Sequence, residues 1–251
     1  MKFHIFTILI ASLLLSFGKV QAQSAVDIIT KAEEVRRGAT SSKAEMTMTI
    51  VRPSWSRTMS MKSWSKGDDY AIMLVTAPKR DLGTVTLKRV KEVWNWMPRI
   101  ERTIKLPPSM MSQSWMGSDF TNDDLVREAS LIKDYDLKVL GDSTIGNRPC
   151  WKIEMIPHDD AAVVWSKVYV WVDKKDYLTM RNEFYDEDDY LINVMIASNI
   201  KTLGGKTFAT KLEMIPVEDE GHKTVIEYQD IVFDTGISEN FFSVQNMKRV
   251  R

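Results

Sequence analysis

Few residues in this sequence are equipped for covalent chemistry. Past residue 22 only two histidines remain, His158 in Pro-His-Asp-Asp and His222 in Glu-Gly-His-Lys. Isolated histidines without an x-x-His partner make a poor metal site, so both read as surface-turn residues and no metal is expected. There is no nucleophile elbow and no glycine loop able to cradle a phosphate. Gly117-Ser118-Asp119 lacks the strand–turn–helix setting that an activated serine needs. Three acidic runs stand out: Asp159-Asp160, Asp186 to Asp189, and Glu218 to Glu220. A carboxylate pair would suit glycoside hydrolysis. Each run lies between strand-like segments and flanks no obvious cleft, which fits solvated hairpin tips better. Arg99, Arg102 and Lys105 offer an anionic head group a place to bind, or form an exposed strand face. Under a two-residue period Arg99 and Lys105 share one side and Arg102 takes the other. The residues imply no cofactor and no enzyme.

The other signal is apolar. After Pro107-Pro108, which cannot continue a central strand, Met110, Met111, Trp115, Met116 and Phe120 crowd a loop that also holds five Ser and Gly residues. Loops are usually polar, and methionine suits irregular or changing contents. Residues 23–251 carry fourteen Met and eight Trp, because only Met1 precedes them. The loop reads as a lid over an apolar hollow.

The elements that would position it are mostly strands. Ser24 opens an amphipathic helix with Val26, Ile29, Ala32 and Val35 on one stripe, and Gly38 ends it. From Ser41 the period becomes two. Met46, Met48 and Ile50 alternate with polar residues, as do Arg57, Met59 and Met61, then Trp94 and Trp96, then Trp151, Ile153 and Met155. Further runs cover Tyr70–Thr76, Thr84–Val90, Arg99–Leu106, Asp136–Leu140, Val164–Val172, Leu178–Tyr185, Tyr190–Lys201, Thr207–Pro216 and Lys223–Phe233. Thr121-Asn-Asp-Asp124 has the form of a capping box for a short helix to about Ile132, and Ser238–Phe242 that of a last helical turn. Regular strands with short connections predict one mainly β domain over residues 23–251. It is a single curved antiparallel sheet of about 11 strands in a half-open, unclosed barrel, with helices and loops as a lid.

Residues 1–22 read as an address. Lys2 precedes the apolar run Ile5–Phe17, and Val20-Gln21-Ala22 supplies small residues for cleavage after Ala22. The run is short for a membrane span. Removing the leader takes away Lys2 and Lys19, leaving 32 basic against 34 acidic residues, which suggests no nucleic-acid partner. Cys150 is the one cysteine, so no internal disulfide forms, and beside Trp151 it reads as a buried, inert thiol.

Trp94, Trp96 and Pro98, then Arg99-Ile100, then Ser112-Gln-Ser-Trp-Met-Gly-Ser-Asp-Phe-Thr-Asn-Asp-Asp-Leu125 resemble the outer-membrane lipoprotein-sorting (LolA-like) family. More specifically, they resemble its branch associated with resistance–nodulation–division (RND) transporters. The Met116–Phe120 core is the specific part, and the order of elements extends the likeness over the chain from Gln23. The resemblance implies a half-open barrel whose concave apolar face is covered by helices and loops. It also implies a soluble periplasmic carrier of acyl chains, touching membranes only transiently, with an inner-membrane RND-type transporter as the candidate partner. Met46, Met48, Ile50, Met59, Met61, Trp94, Trp96, Trp151, Ile153 and Met155 are expected to line the hollow. Met110, Met111, Trp115, Met116 and Phe120 are the expected lid, and Arg57 and Arg99 the head-group candidates. The alternative is a periplasmic lipid sensor or adaptor that signals to a membrane partner through the same cavity.

Overall fold

The computed structural model describes residues 23–37, 39–122, 124, 131–159, 161 and 163–251. The expected leader, residues 1–22, lies outside them, as do residues 125–130 of the expected mid-chain helix.

One antiparallel sheet of 13 strands forms the frame, in the order β6-β5-β4-β3-β2-β1-β13-β12-β11-β10-β9-β8-β7. In chain order the strands are β1 Ser41–Arg52, β2 Trp55–Lys66, β3 Tyr70–Ala77, β4 Val85–Arg89, β5 Glu92–Met97, β6 Arg102–Lys105 and β7 Tyr135–Ile145. They continue with β8 Arg148–Pro157, β9 Lys167–Asp173, β10 Thr179–Tyr185, β11 Leu191–Leu203, β12 Lys206–Pro216 and β13 Lys223–Phe233. The first and last strands of the chain's central run meet, since β1 pairs with β13, while β6 and β7 are left as edges. The sheet is therefore unclosed, as expected, with two more strands than the 11 anticipated.

The register assigns the faces. Met46 sits opposite Met61, Met48 opposite Met59, and Ile50 opposite Arg57. On the other side of β1 these residues face Tyr228, Ile226 and Thr224. The covering helix and the loop after β6 lie on this face, which is termed concave. Helix α1, Ala25–Arg37, lays Ala25, Ile28, Ile29 and Ala32 over Tyr135, Ile153, Met155, Val168, Val170 and Val172 of β7 to β9. A four-residue helix α2, Leu131–Asp134, leads into β7. The convex face is covered too, along β2 to β5. There the C-terminal segment, with the expected turn at Glu239–Phe241 and a short helix α3 at Val244–Met247, packs Phe242, Met247 and Val250 against Trp64, Ile72, Leu74, Val85 and Leu87.

One connection fits only glycine. Gly204, between β11 and β12, has φ +56°, and a Cβ there would lie 2.5 Å from the Ile231 carbonyl oxygen and 3.0 Å from the Phe233 ring. Gly205 has φ +81° but open space around it. Gly204→Ala is expected to cost about 2–3 kcal/mol from backbone strain plus the clash, and Gly205→Ala about 1. Thermal melts should separate the two, with the Gly204 variant falling by roughly 5–10 °C. Equal melting temperatures would contradict the close approach.

Candidate functional site

The loop from Leu106 to Asn122 is a compact plug on the concave face. Its own bonds shape it: the Trp115 amide donates to the Phe120 carbonyl at 2.7 Å and the Ser118 amide to the Trp115 carbonyl at 2.9 Å. Buried Asn122 donates its side-chain amide to the carbonyls of Met110 and Gln113 at 3.0 and 3.1 Å. The Thr121 amide donates to the Asp124 carboxylate at 2.7 Å, and the Asp124 amide to the Thr121 hydroxyl at 3.1 Å. The expected capping box is therefore made.

Polar bonds from four sheet residues hold this plug in place. The Arg52 guanidinium reaches both carboxylate oxygens of Asp119 at 3.0 Å. Thr224, fully buried, donates its hydroxyl to Asp119 at 2.7 Å and accepts the Asp119 amide at 2.9 Å. On the far side the Trp115 indole donates to the Thr86 hydroxyl at 3.2 Å, and Thr86 donates to Asn95 at 2.9 Å. Between them Arg57 donates to the Met116 carbonyl at 2.6 Å. Met116 and Gly117 hold φ of +54° and +79°. For Met116 that left-handed backbone costs of order 1 kcal/mol or more, sustained by the contacts around it. Arg57 spends one nitrogen on this carbonyl, while its Nε is buried with no partner among the described residues.

Below the plug lies a methionine floor. Met48, Ile50 and Met59 have no exposed surface, Met61 has 2 %, and Trp115 itself has 2 %. Trp115 and Phe120 belong to the same cluster as Met46, Met48, Ile50, Met59 and Met61, with Met116 packed beside them. Where a preformed hollow beneath a lid was expected, lid and floor are in contact. The reason is volume: an indole and a phenyl ring fill what an open cup would leave empty, and interiors close on such gaps. Met110 and Met111 sit half-buried at the start of the loop, outside that cluster.

The other expected residues divide. Trp151, Ile153 and Met155 share the concave face with the floor but lie under α1. Trp94 and Trp96 do not share it. They pair with Leu87 and Val85 and pack on the convex side against the C-terminal segment. Both faces of β5 are covered, so alternation alone could not say which face was concave. Arg57 reaches the plug, whereas Arg99 is exposed on the β5–β6 tip. Asp159, Glu187 to Asp189 and Glu218 to Glu220 are exposed on hairpin tips, and Asp160 lies outside the described residues. Cys150 is fully buried, and burial pushes its thiol up from the ordinary value.

Sequence reasoning missed the uncovered part of the concave face. Phe184, Met195, Leu203, Phe208, Tyr228 and Phe233 are half-buried beside the floor. Phe208 makes edge contacts with Tyr228 and Phe233 at ring separations of 5.6 and 6.2 Å. Phe184 touches both the floor cluster and the one under α1, so the apolar surface is continuous. The signal was present as the alternation of Phe208, Thr210, Leu212 and Met214, in strands that carry no conspicuous motif.

A family model described as uncharacterized-protein-like matches residues 67–249, well over half of the chain. The chain belongs to that family. No curated protein matches it. Among solved structures it is similar to a DUF1329-family protein from Desulfovibrio piger at 24% identity and TM-score 0.82, over 89% of this chain and 97% of that one. It is similar to a protein domain from Vibrio parahaemolyticus, described as outer membrane lipoprotein-sorting, at 25% identity and TM-score 0.80, over 90% and 98%. It is also similar to a LolA-superfamily protein from Nitrosomonas europaea at 23% identity and TM-score 0.74, over 89% and 99%. The LolA-like fold is thus matched along nearly the full length of each neighbour. Among the described residues no helix is long and apolar enough to cross a membrane, and no group of His, Cys, Asp and Glu could hold a metal ion.

Proposed function

We propose that this chain is an exported, soluble periplasmic carrier that shelters the acyl chains of a lipid or lipoprotein on its concave face and passes them between membranes. In this reading residues 1–22 are the cleaved leader, residues 23–251 fold as one domain, no reaction is catalysed, and an RND-type inner-membrane transporter is the partner. The observation that carries it is the continuous apolar surface from the methionine floor through Phe184, covered on one part only by a loop fastened through polar bonds. Each methylene removed from water contributes about 0.8 kcal/mol, so a fourteen-carbon chain needs roughly 10 kcal/mol of shelter. A strip of aromatics plus a displaceable plug supplies surface of that kind. The floor methionines can repack around a chain where Trp115 and Phe120 withdraw.

The test is to purify the protein without detergent, extract it into organic solvent and identify bound lipid by mass spectrometry. Stoichiometric lipid is expected. Phe208→Asp with Met195→Asp, placing charge on the open strip, should lower the yield about tenfold or more. Repeated recovery of lipid-free protein that also ignores added lipid would sink the carrier reading.

A further inference from the structure

The hairpins that turn at one end of the sheet do not share one character. The β3–β4 tip (residues 78–84) and the β5–β6 tip (residues 98–101), with Arg102 at the start of β6, present Lys79, Arg80, Arg99 and Arg102 against only two carboxylates, Asp81 and Glu101. They also carry two of the most exposed large apolar side chains of the described protein, Leu82 at 51% and Ile100 at 57%. Among the described residues neither Arg80 nor Arg99 is held in an ion pair. The tips after β8, β10 and β12 at this end are acidic, carrying Asp159, Asp186 to Asp189 and Glu218 to Glu220, while the β1–β2 tip between the two groups, Pro53-Ser54, carries no charge.

The two basic tips pack against each other. A Cβ on Gly83 would come within 3.3 Å of the Pro98 ring, so the turns are in contact. The Gly83 amide donates to the Val75 carbonyl at 2.9 Å, the Thr84 amide to Asp81 at 3.1 Å and the Glu101 amide to Pro98 at 3.3 Å. Between the tips runs an open cleft of about 430 Å³, with Arg80, Asp81 and Thr84 on one wall and Met97 to Ile100 on the other.

We infer that this pair of tips is a foot that docks on an anionic phospholipid bilayer. Lipid phosphates would sit against Arg80 and Arg99 while Leu82 and Ile100 dip past the head groups. Cations flanking exposed aliphatic side chains are what such an interface attracts, each cation through the negative surface potential and each aliphatic group through burial. The acidic tips favour this occupant through orientation. An anionic surface draws the β3–β6 end of the rim and repels the other, so the molecule lands in one pose. Docking and carriage are separable: a chain that grips vesicles but holds no lipid loses only the latter, and a carrier that ignores vesicles loses only the former.

The experiment is cosedimentation of the protein, expressed as the full chain and recovered from the soluble periplasmic extract. Vesicles of phosphatidylethanolamine with phosphatidylglycerol are compared with vesicles of phosphatidylcholine alone. Binding is expected to the anionic vesicles, weakening as salt rises. Arg80→Gln with Arg99→Gln should lower the affinity about thirtyfold. Leu82→Asp with Ile100→Asp should lower it further, with melting temperatures unchanged because all four side chains are exposed or border open space. In a separate variant, Leu82→Trp fluorescence should be quenched by brominated acyl chains. No binding, equal binding to neutral vesicles, or full binding by both double variants would overturn the proposal, and a protein partner would then be the better occupant.

Discussion

Trp115→Ala is expected to lower the unfolding free energy by about 3–5 kcal/mol, the range for removing a large aromatic from a well-packed interior. The side chain is 2 % exposed and belongs to the floor cluster with Met61 and Val75. Its indole also donates to Thr86, so truncation leaves that hydroxyl with one partner fewer. The plug has other fastenings, through Asp119 and through the Met116 carbonyl, which should keep the loop seated over the cavity left behind. Two readouts give this content. Urea unfolding reports the global loss, and native-state hydrogen exchange of residues 110–122 reports local opening. If the loop folds as part of the sheet, both change together. If exchange in the loop rises steeply while the urea midpoint hardly moves, the loop is a separately opening unit and the global prediction is wrong. The second outcome would make the floor accessible at low cost, which is what carriage on this face requires.

Where the sequence was legible, pattern and turn chemistry agreed. Alternation in Met46, Met48 and Ile50 placed them on one face, and pairing with Met61, Met59 and Arg57 confirms it. The pairs Gly204-Gly205 and Glu220-Gly221 have the composition of turns, and each holds a glycine at positive φ. The capping box at Thr121 was readable because its bonds lie within four residues. What failed was anything requiring knowledge of which face is covered. Trp94 and Trp96 look like Met46 and Met48 in period and hydrophobicity, yet they face the C-terminal segment, whose Phe242 and Met247 are entirely buried. No local pattern reveals that a tail will return to cover the convex side. Arg57 could be placed beside the loop only through its register with Ile50, which is a long-range fact. The loop's apolar content is legible in the sequence, and Trp115 and Phe120 pack in the floor cluster, but whether such a loop roofs a void or fills it depends on packing volume, which side-chain types alone leave open. The polarity of the rim was missed for a similar reason. Acidic and basic tips that are far apart in sequence share one end only because the strands between them alternate in direction.

The second large effect concerns acid. At the opposite end of the sheet, Arg148 forks onto Asp173 with hydrogen bonds of 3.0 and 2.9 Å, and also pairs with Asp176. The Asp176 amide donates to the Asp173 carboxylate at 2.6 Å, and Asp173 is 1 % exposed. Burial pushes this carboxyl upward, but the Arg148 bonds and the backbone amides outweigh it and hold it below the ordinary carboxylate range. Hydrogen bonding to Asp173 in turn raises the Arg148 guanidinium against the opposing effect of burial. A folded-state value below the unfolded one means that the contribution is fully present above the unfolded pKa of about 3.9. It is lost as pH falls through the lower folded value. Glu213, depressed between Lys223 and Lys211 at 3.0 and 3.1 Å once burial is overcome, acts in the same direction. Asp173→Asn should therefore cost about 3 kcal/mol at neutral pH, because it leaves the Arg148 charge without its main partner. Urea titrations repeated down the pH scale test the sign: the gap between wild type and variant should hold above about pH 4 and narrow below it. A gap that stayed constant into strong acid would assign the loss to packing in the β9–β10 turn, and the paired charges would then contribute nothing of their own.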